Sequence, residues 1–248
     1  MRKRHALCYL LLSAAAVVAS GCSASRGGTQ AARADDAAQA GGATATAQQR
    51  PAAPRPSSGS PFLDGLVEAA VGRTSRQVRY DPTYFQIPYP GGDVPAEVGV
   101  CTDEVIRSYR AVGVDLQKEV HEDMAANFSA YPRKWGLKKT DTNIDHRRVP
   151  NLMVFFERAG AGVPVTQQAA DYKPGDVVTW DLPGGLTHIG IVVNVPSEAD
   201  ESRMQIVHNI GAGPKMEDVL FNWKITGHYR YAGPKPEAAK PAARGRAR

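Results

Sequence analysis

The sequence predicts an α+β protein in which N-terminal helices pack on a C-terminal antiparallel sheet. Two observations carry that expectation. Apolar residues recur at helical spacing between positions 62 and 160, and after position 175 the pattern changes to short β-branched runs separated by Pro and Gly. Runs of helices followed by runs of strands point to segregated layers, not to alternating parallel units. The patterned region, 62–233, has the length of one domain with its own core.

Each element has a local reason. Phe62, Leu63, Leu66, Val67, Ala70 and Val71 fall on one helical face. The stretch RYDPTYFQIPYPGGDVPAEVG has four prolines and a Gly pair, which forces loop or extended chain. A helix is expected from Cys101 to Val112, with Val105, Ile106, Tyr109 and Val112 inward and Gly113 closing it. Asp115 is placed to cap a second, Leu116 to Phe128, which must stop before Pro132. A third is expected from Asn151 to Ala159, ended by Gly160. Strands follow at 176–180, 188–193, 204–208 and 225–231.

Charge narrows the partners. The 248-residue chain carries a formal +5, yet residues 62–233 hold 18 Lys/Arg against 22 Asp/Glu, a net of −4. The positive excess lies in 1–61 and in the Pro-rich tail 234–248. A mildly acidic folded region offers no nucleic-acid footprint, so no nucleic-acid partner is expected.

The N-terminus reads as an export signal. MRKRH precedes the apolar run ALCYLLLSAAAVVAS, which is of signal-peptide length and short for a span. It ends Ala19, Ser20, Gly21, Cys22, which resembles a bacterial lipobox with Ala19 where Leu is usual. Residues 1–21 are therefore expected to be a lipoprotein signal peptide and Cys22 the lipidated residue; ordinary secretion is the alternative. Ser23 is not an Asp-type retention signal, which favours the outer membrane. The expected location is the periplasm, with the membrane reached through the N-terminal lipid. Residues 22–61 and 234–248 hold too few large apolar side chains to offset ordering entropy and are expected to be a disordered tether and a disordered basic tail.

Three cysteines then become informative. Cys8 belongs to the signal and Cys22 to the lipobox, which leaves Cys101 alone in the folded region, as a core residue or a reactive thiol. It opens a predicted helix, where free N–H groups and the helix dipole favour a thiolate. A nucleophilic Cys needs an imidazole base and a group to orient it. His188 in THIGIVV and His208 in IVHNIG lie on neighbouring predicted strands and can share one face. A Cys-His-His site and a buried thiol with two hydrogen-bonded histidines both fit these residues. A zinc site on the same three is a further alternative, although no CxxC or HExxH element supports it. No metal and no cofactor are expected.

The order of helix-borne Cys, PGDVVTW, HIGIV and IVH resembles the NlpC-type cell-wall cysteine peptidases, which have a permuted papain-like fold. More closely, RYDPTY, YPGGDVP, GVCTD, LQKEVHEDM, TNIDHRRVPNL, PGDVVTW, THIGIV, IVHNIG and ITGHYRY, across 80–231, are similar to the bacterial domain-of-unknown-function family 1287. The peptidase resemblance implies Cys101 as nucleophile, His188 as base and His208 as orienting residue, acting on an amide bond of peptidoglycan stem peptides in a monomer. A non-catalytic wall-binding module on a degenerate peptidase fold is the alternative. Candidate substrate contacts are Asp103, which equally suits a carboxylate stabilising the helix N-terminus, then Asp145, His146 and Arg147 in the polar loop TNIDHRRVPN, which equally suits a hydrogen-bonded turn, and Asn209 beside His208. Arg147 and Arg148 can each read a carboxylate bidentately. His121 and His228 are expected to be structural, with Trp180 and Trp223 packing the sheet.

Overall fold

The computed structural model describes residues 56–234. The signal peptide, Cys22, nearly all of the tether and the tail from 235 onward lie outside the described residues. Within them, helices come first: α1 (Pro61–Arg73), α2 (Cys101–Ala111), α3 (Leu116–Ala126) and α4 (Val149–Arg158). Short strands β1 (Arg79–Tyr80) and β2 (Val98–Gly99) pair in parallel just ahead of α2. Five strands follow: β3 (Val177–Leu182), β4 (Leu186–Pro196), β5 (Met204–Asn209), β6 (Pro214–Glu217) and β7 (Lys224–Tyr229). They form one antiparallel sheet in the order β6-β5-β4-β3-β7. The expected mixture of helices and antiparallel sheet is therefore present.

Caps fall where side-chain chemistry puts them. Ser60 accepts from Leu63 N–H to open α1, and Asp115 accepts from Gln117 N–H to open α3. Gly113, at φ +86°, supplies the left-handed turn after α2 that costs other residues strain. Among the helices, two boundaries differ by two residues from expectation. The helix α4 begins two residues early, because Pro150 sits in its first turn, where the missing N–H and fixed φ are no burden. The helix α3 stops at Ala126 and the chain continues as a 3₁₀ turn, Phe128–Ala130. The strand β6 was not expected: PKME starts with Pro and lacks apolar alternation, which an edge strand tolerates.

Side-chain alternation gives the sheet two dry faces. Val177, Ile189, Ile191, Val193 and Val207 pack with Leu66, Val105, Ile106, Leu152 and Phe156 from the helices. Val178, Trp180, Val192 and Ile206 face the other way, under Tyr172, Val219 and Leu220. The helix α2 is buried along nearly its whole circumference, so its polar residues must find internal partners. Glu104 accepts from Arg73 at 2.7 Å, and Arg107 Nε donates to Asp93 at 2.9 Å. Gly190 lies opposite His208, and a Cβ there would come within 2.6 Å of Ile206 Cγ2, so only glycine lets β5 press this closely on β4.

Candidate active site

The helix α2 delivers Cys101 to the sheet. Val100 is extended and precedes the helix without a polar side-chain cap, so Asp103 in the first turn reaches back to accept from Val100 N–H at 2.7 Å. That fixes Cys101 at the first helical position, where its own N–H and that of Thr102 favour a charged sulfur. The N–H of Ile189 in β4 acts in the same direction. The β4–β5 pairing ends at Gly190 opposite His208, and Cys101 belongs to the same core cluster as Ile189 and Val207 of these strands.

His188 and His208 project from the sheet face opposite to Ile189 and Val207, the strand residues in whose core cluster Cys101 lies. His188 is paired across the sheet with Trp180, and His208 with Gly190, so both imidazoles share the face of Trp180. Trp180 and Trp223 wall them at 5.8 and 6.3 Å between ring centroids. His188 Nε2 lies 2.8 Å from His208 Nδ1, and His208 Nε2 lies 3.0 Å from Glu217 Oε2. The carboxylate can only accept, which puts the proton of His208 on Nε2 and leaves its Nδ1 as an acceptor. His188 must then donate through Nε2, and its Nδ1 keeps a lone pair. Glu217 thus fixes two tautomers in series.

The electrostatics correct one expectation. Burial pushes the Cys101 thiol up to about 12, and the Asp103 carboxylate adds to this against the three N–H groups. Burial, helped by His208, holds His188 down to about 3. The resting pair is thiol and neutral imidazole, not the thiolate that a helix N-terminus alone suggests. No hydrogen bond joins Cys101 Sγ to an imidazole among the described residues, and catalytic hydrogen bonds often form only when substrate closes a site. No three His, Cys, Asp or Glu groups among the described residues are disposed to hold a metal, and the two histidines aim at each other instead of at a shared point.

The proposed substrate contacts divide. Arg147 donates to both oxygens of Asp103 at 2.9 and 3.0 Å and to Thr83 O at 3.1 Å. The pair is nearly fully buried, so Asp103 and most of the Arg147 fork are spent internally; this corrects their reading as substrate groups. Asp145 is buried, accepting from Asp141 N–H at 2.6 Å and lying 3.2 Å from His121 Nδ1. His146 is buried and held neutral, near 3, by desolvation and then by Arg147. Asn209 is buried on the face opposite His208 and accepts from Gly211 N–H at 3.1 Å. His228, as expected, is structural: its ring nitrogens lie 2.7 Å from Asp176 and 3.2 Å from Pro164 O.

A cavity of about 200 Å³ reaches Cys101, lined also by Tyr80, Trp135, Arg148, Pro150 and Thr187. A larger hollow of about 720 Å³, between α3, α4 and the segment after β7, lies elsewhere and contains none of the catalytic candidates. Tyr80 and Glu217 were not singled out from sequence. Burial, then Cys101 and Asp103, hold the Tyr80 phenol up at about 12, so it stays protonated on the wall of the cavity it shares with Cys101. Its signal in RYDPTY was indistinguishable from a loop aromatic.

The chain is similar to the following known proteins. The family model described as Domain of unknown function (DUF1287) matches residues 67–231. The Uncharacterized protein YijF of Escherichia coli (strain K12) is 57% identical over 152 residues, spanning 61% of this chain and 73% of that protein. Among solved structures, NlpC1 from Trichomonas vaginalis is similar at a TM-score of 0.37 and 14% identity, over 68% of this chain and 44% of that chain, less than half its length. Matched across most of its folded region, the chain belongs to the DUF1287 family.

Proposed function

We propose that this protein is an exported, lipid-anchored thiol hydrolase of permuted papain-like architecture that cleaves an amide bond of peptidoglycan stem peptides. The observation that carries the reading is the Glu217–His208–His188 hydrogen-bond chain, ending in an unused Nδ1 lone pair on the residue before Ile189, which shares a core cluster with Cys101. His188 Nδ1 takes the thiol proton as the sulfur attacks the substrate carbonyl carbon. The C–S bond forms, and the carbonyl oxygen takes up the negative charge near the N–H groups of Cys101 and Thr102. Collapse expels the amine, which receives the proton back from His188. Water, deprotonated by the same imidazole, then cleaves the thioester and regenerates the thiol.

Purified cell wall incubated with the full chain and examined by mass spectrometry tests this. New amine and carboxyl ends should appear, and Cys101→Ala should abolish them while the protein keeps its fold. Undiminished cleavage by that variant would exclude the mechanism. The neutral buried thiol favours one second reading, a wall-binding module without turnover, for which stem-peptide binding without cleavage is the distinguishing result.

A further inference from the structure

The two arginines of the 145–148 turn have opposite fates. Arg147 is locked on Asp103, whereas Arg148 makes no salt bridge among the described residues. Its Nη1 is shielded from solvent with no hydrogen-bond partner among them. Asp141 and Asp145 are the acidic groups whose field reaches it, and its largest perturbation is desolvation, which disfavours the charge. A half-buried cation in that position is a cost unless an anion completes it. The guanidinium is nevertheless held in place: its Cζ lies 4.2 Å from the centre of the Trp135 ring. Trp135 is itself 55% exposed, unusual for so large an apolar side chain, and sits at φ +63°, a left-handed conformation that bulky residues seldom adopt. Strain and exposure of this kind cluster where a ligand is gripped. Both residues line the Cys101 cavity, and no Asp or Glu lines it.

We propose that Arg148, stacked on Trp135 at the wall of the Cys101 cavity, binds a carboxylate of the substrate, so that the cleft selects peptides bearing a free carboxylate near the scissile amide. Arg suits this task because its planar fork meets both carboxylate oxygens, and the stacked ring spares it the entropy of becoming ordered. The proposal rests on the thiol-hydrolase reading for the bond that is cut, while the binding itself does not require turnover.

The probe is the stem tripeptide alanyl-γ-glutamyl-lysine with its lysine carboxyl amidated, and its glutamate α-carboxyl either free or converted to the carboxamide. Calorimetric titration into the full chain carrying Cys101→Ala should show the free carboxylate bound roughly tenfold or more tightly than the carboxamide. Adding Arg148→Gln should erase the difference, Arg148→Lys should restore only part of it, and Trp135→Ala should weaken the carboxylate form several-fold. Equal binding of the two peptides, no binding of the free carboxylate, or a preference that survives Arg148→Gln would overturn the proposal. A discriminating titration without cleavage by the chain retaining Cys101 would instead leave the carboxylate site standing and remove the hydrolase reading.

Discussion

Two polar clusters flank Cys101, and they are built on opposite plans. The Asp103–Arg147 pair closes on itself and, with Thr102 donating to Arg147 O, ties α2 to the turn before α4. The chain Glu217–His208–His188 runs one way and stops with an unused lone pair. Both are dense in ionisable residues, so composition does not separate them. A pair such as Asp103–Arg147, whose valences meet one another, holds structure together, whereas an imidazole with a lone pair left over is what the proposed base requires.

The largest effect that would break this contrast concerns the thiol. With its thiol held up at about 12, Cys101 should react sluggishly with iodoacetamide at neutral pH, and faster by about tenfold for each added pH unit toward alkaline conditions. The sign follows because only the thiolate reacts and its fraction grows as pH approaches the raised value. Mass spectrometry of the modified chain gives the rate; fast, pH-independent alkylation near pH 7 would mean a resting thiolate–imidazolium pair and an open chain already engaged.

Next in size is the closed cluster. Replacing Arg147 with Met strands a buried carboxylate on Asp103 and should cost about 3–5 kcal/mol in urea unfolding, and the double change Asp103→Leu with Arg147→Met should recover much of it. Unchanged stability with lost peptide binding would reassign this pair to the substrate and erase the distinction between the clusters.

The smallest effect sharpens the open chain. Glu217 raises the pKa of His208 against the lowering effect of burial, so Glu217→Gln should move that imidazole's titration to lower pH, read by nitrogen NMR. Turnover should fall about tenfold with KM little changed, because the tautomer of His188 is no longer fixed by a charge. A titration that stays in place would show that Glu217 only decorates the strand end.

Much of this was legible from local pattern. Asp115 as a cap, Gly113 as a stop and the alternation of His188-Ile189-Gly190-Ile191 each act within a few residues, so a single stretch of sequence contains the whole cause. The shared face of His188 and His208 follows from two-residue periodicity once their strands are neighbours. Glu217 was not legible, because β6 is an edge strand with a proline start and no apolar rhythm, and its identity comes from pairing with β5. Nor could adjacent arginines be told apart, since Arg147 and Arg148 differ only in which one meets Asp103, 44 residues away in sequence.

The sequence by itself determined the elements, the antiparallel sheet and the isolation of one cysteine at a helix start, because propensity, periodicity and capping are short-range. Only the tertiary structure decided the charge state of that cysteine and which polar groups remain unspent. Desolvation and hydrogen-bond partnership depend on every atom packed around a group, and those atoms arrive from distant parts of the chain.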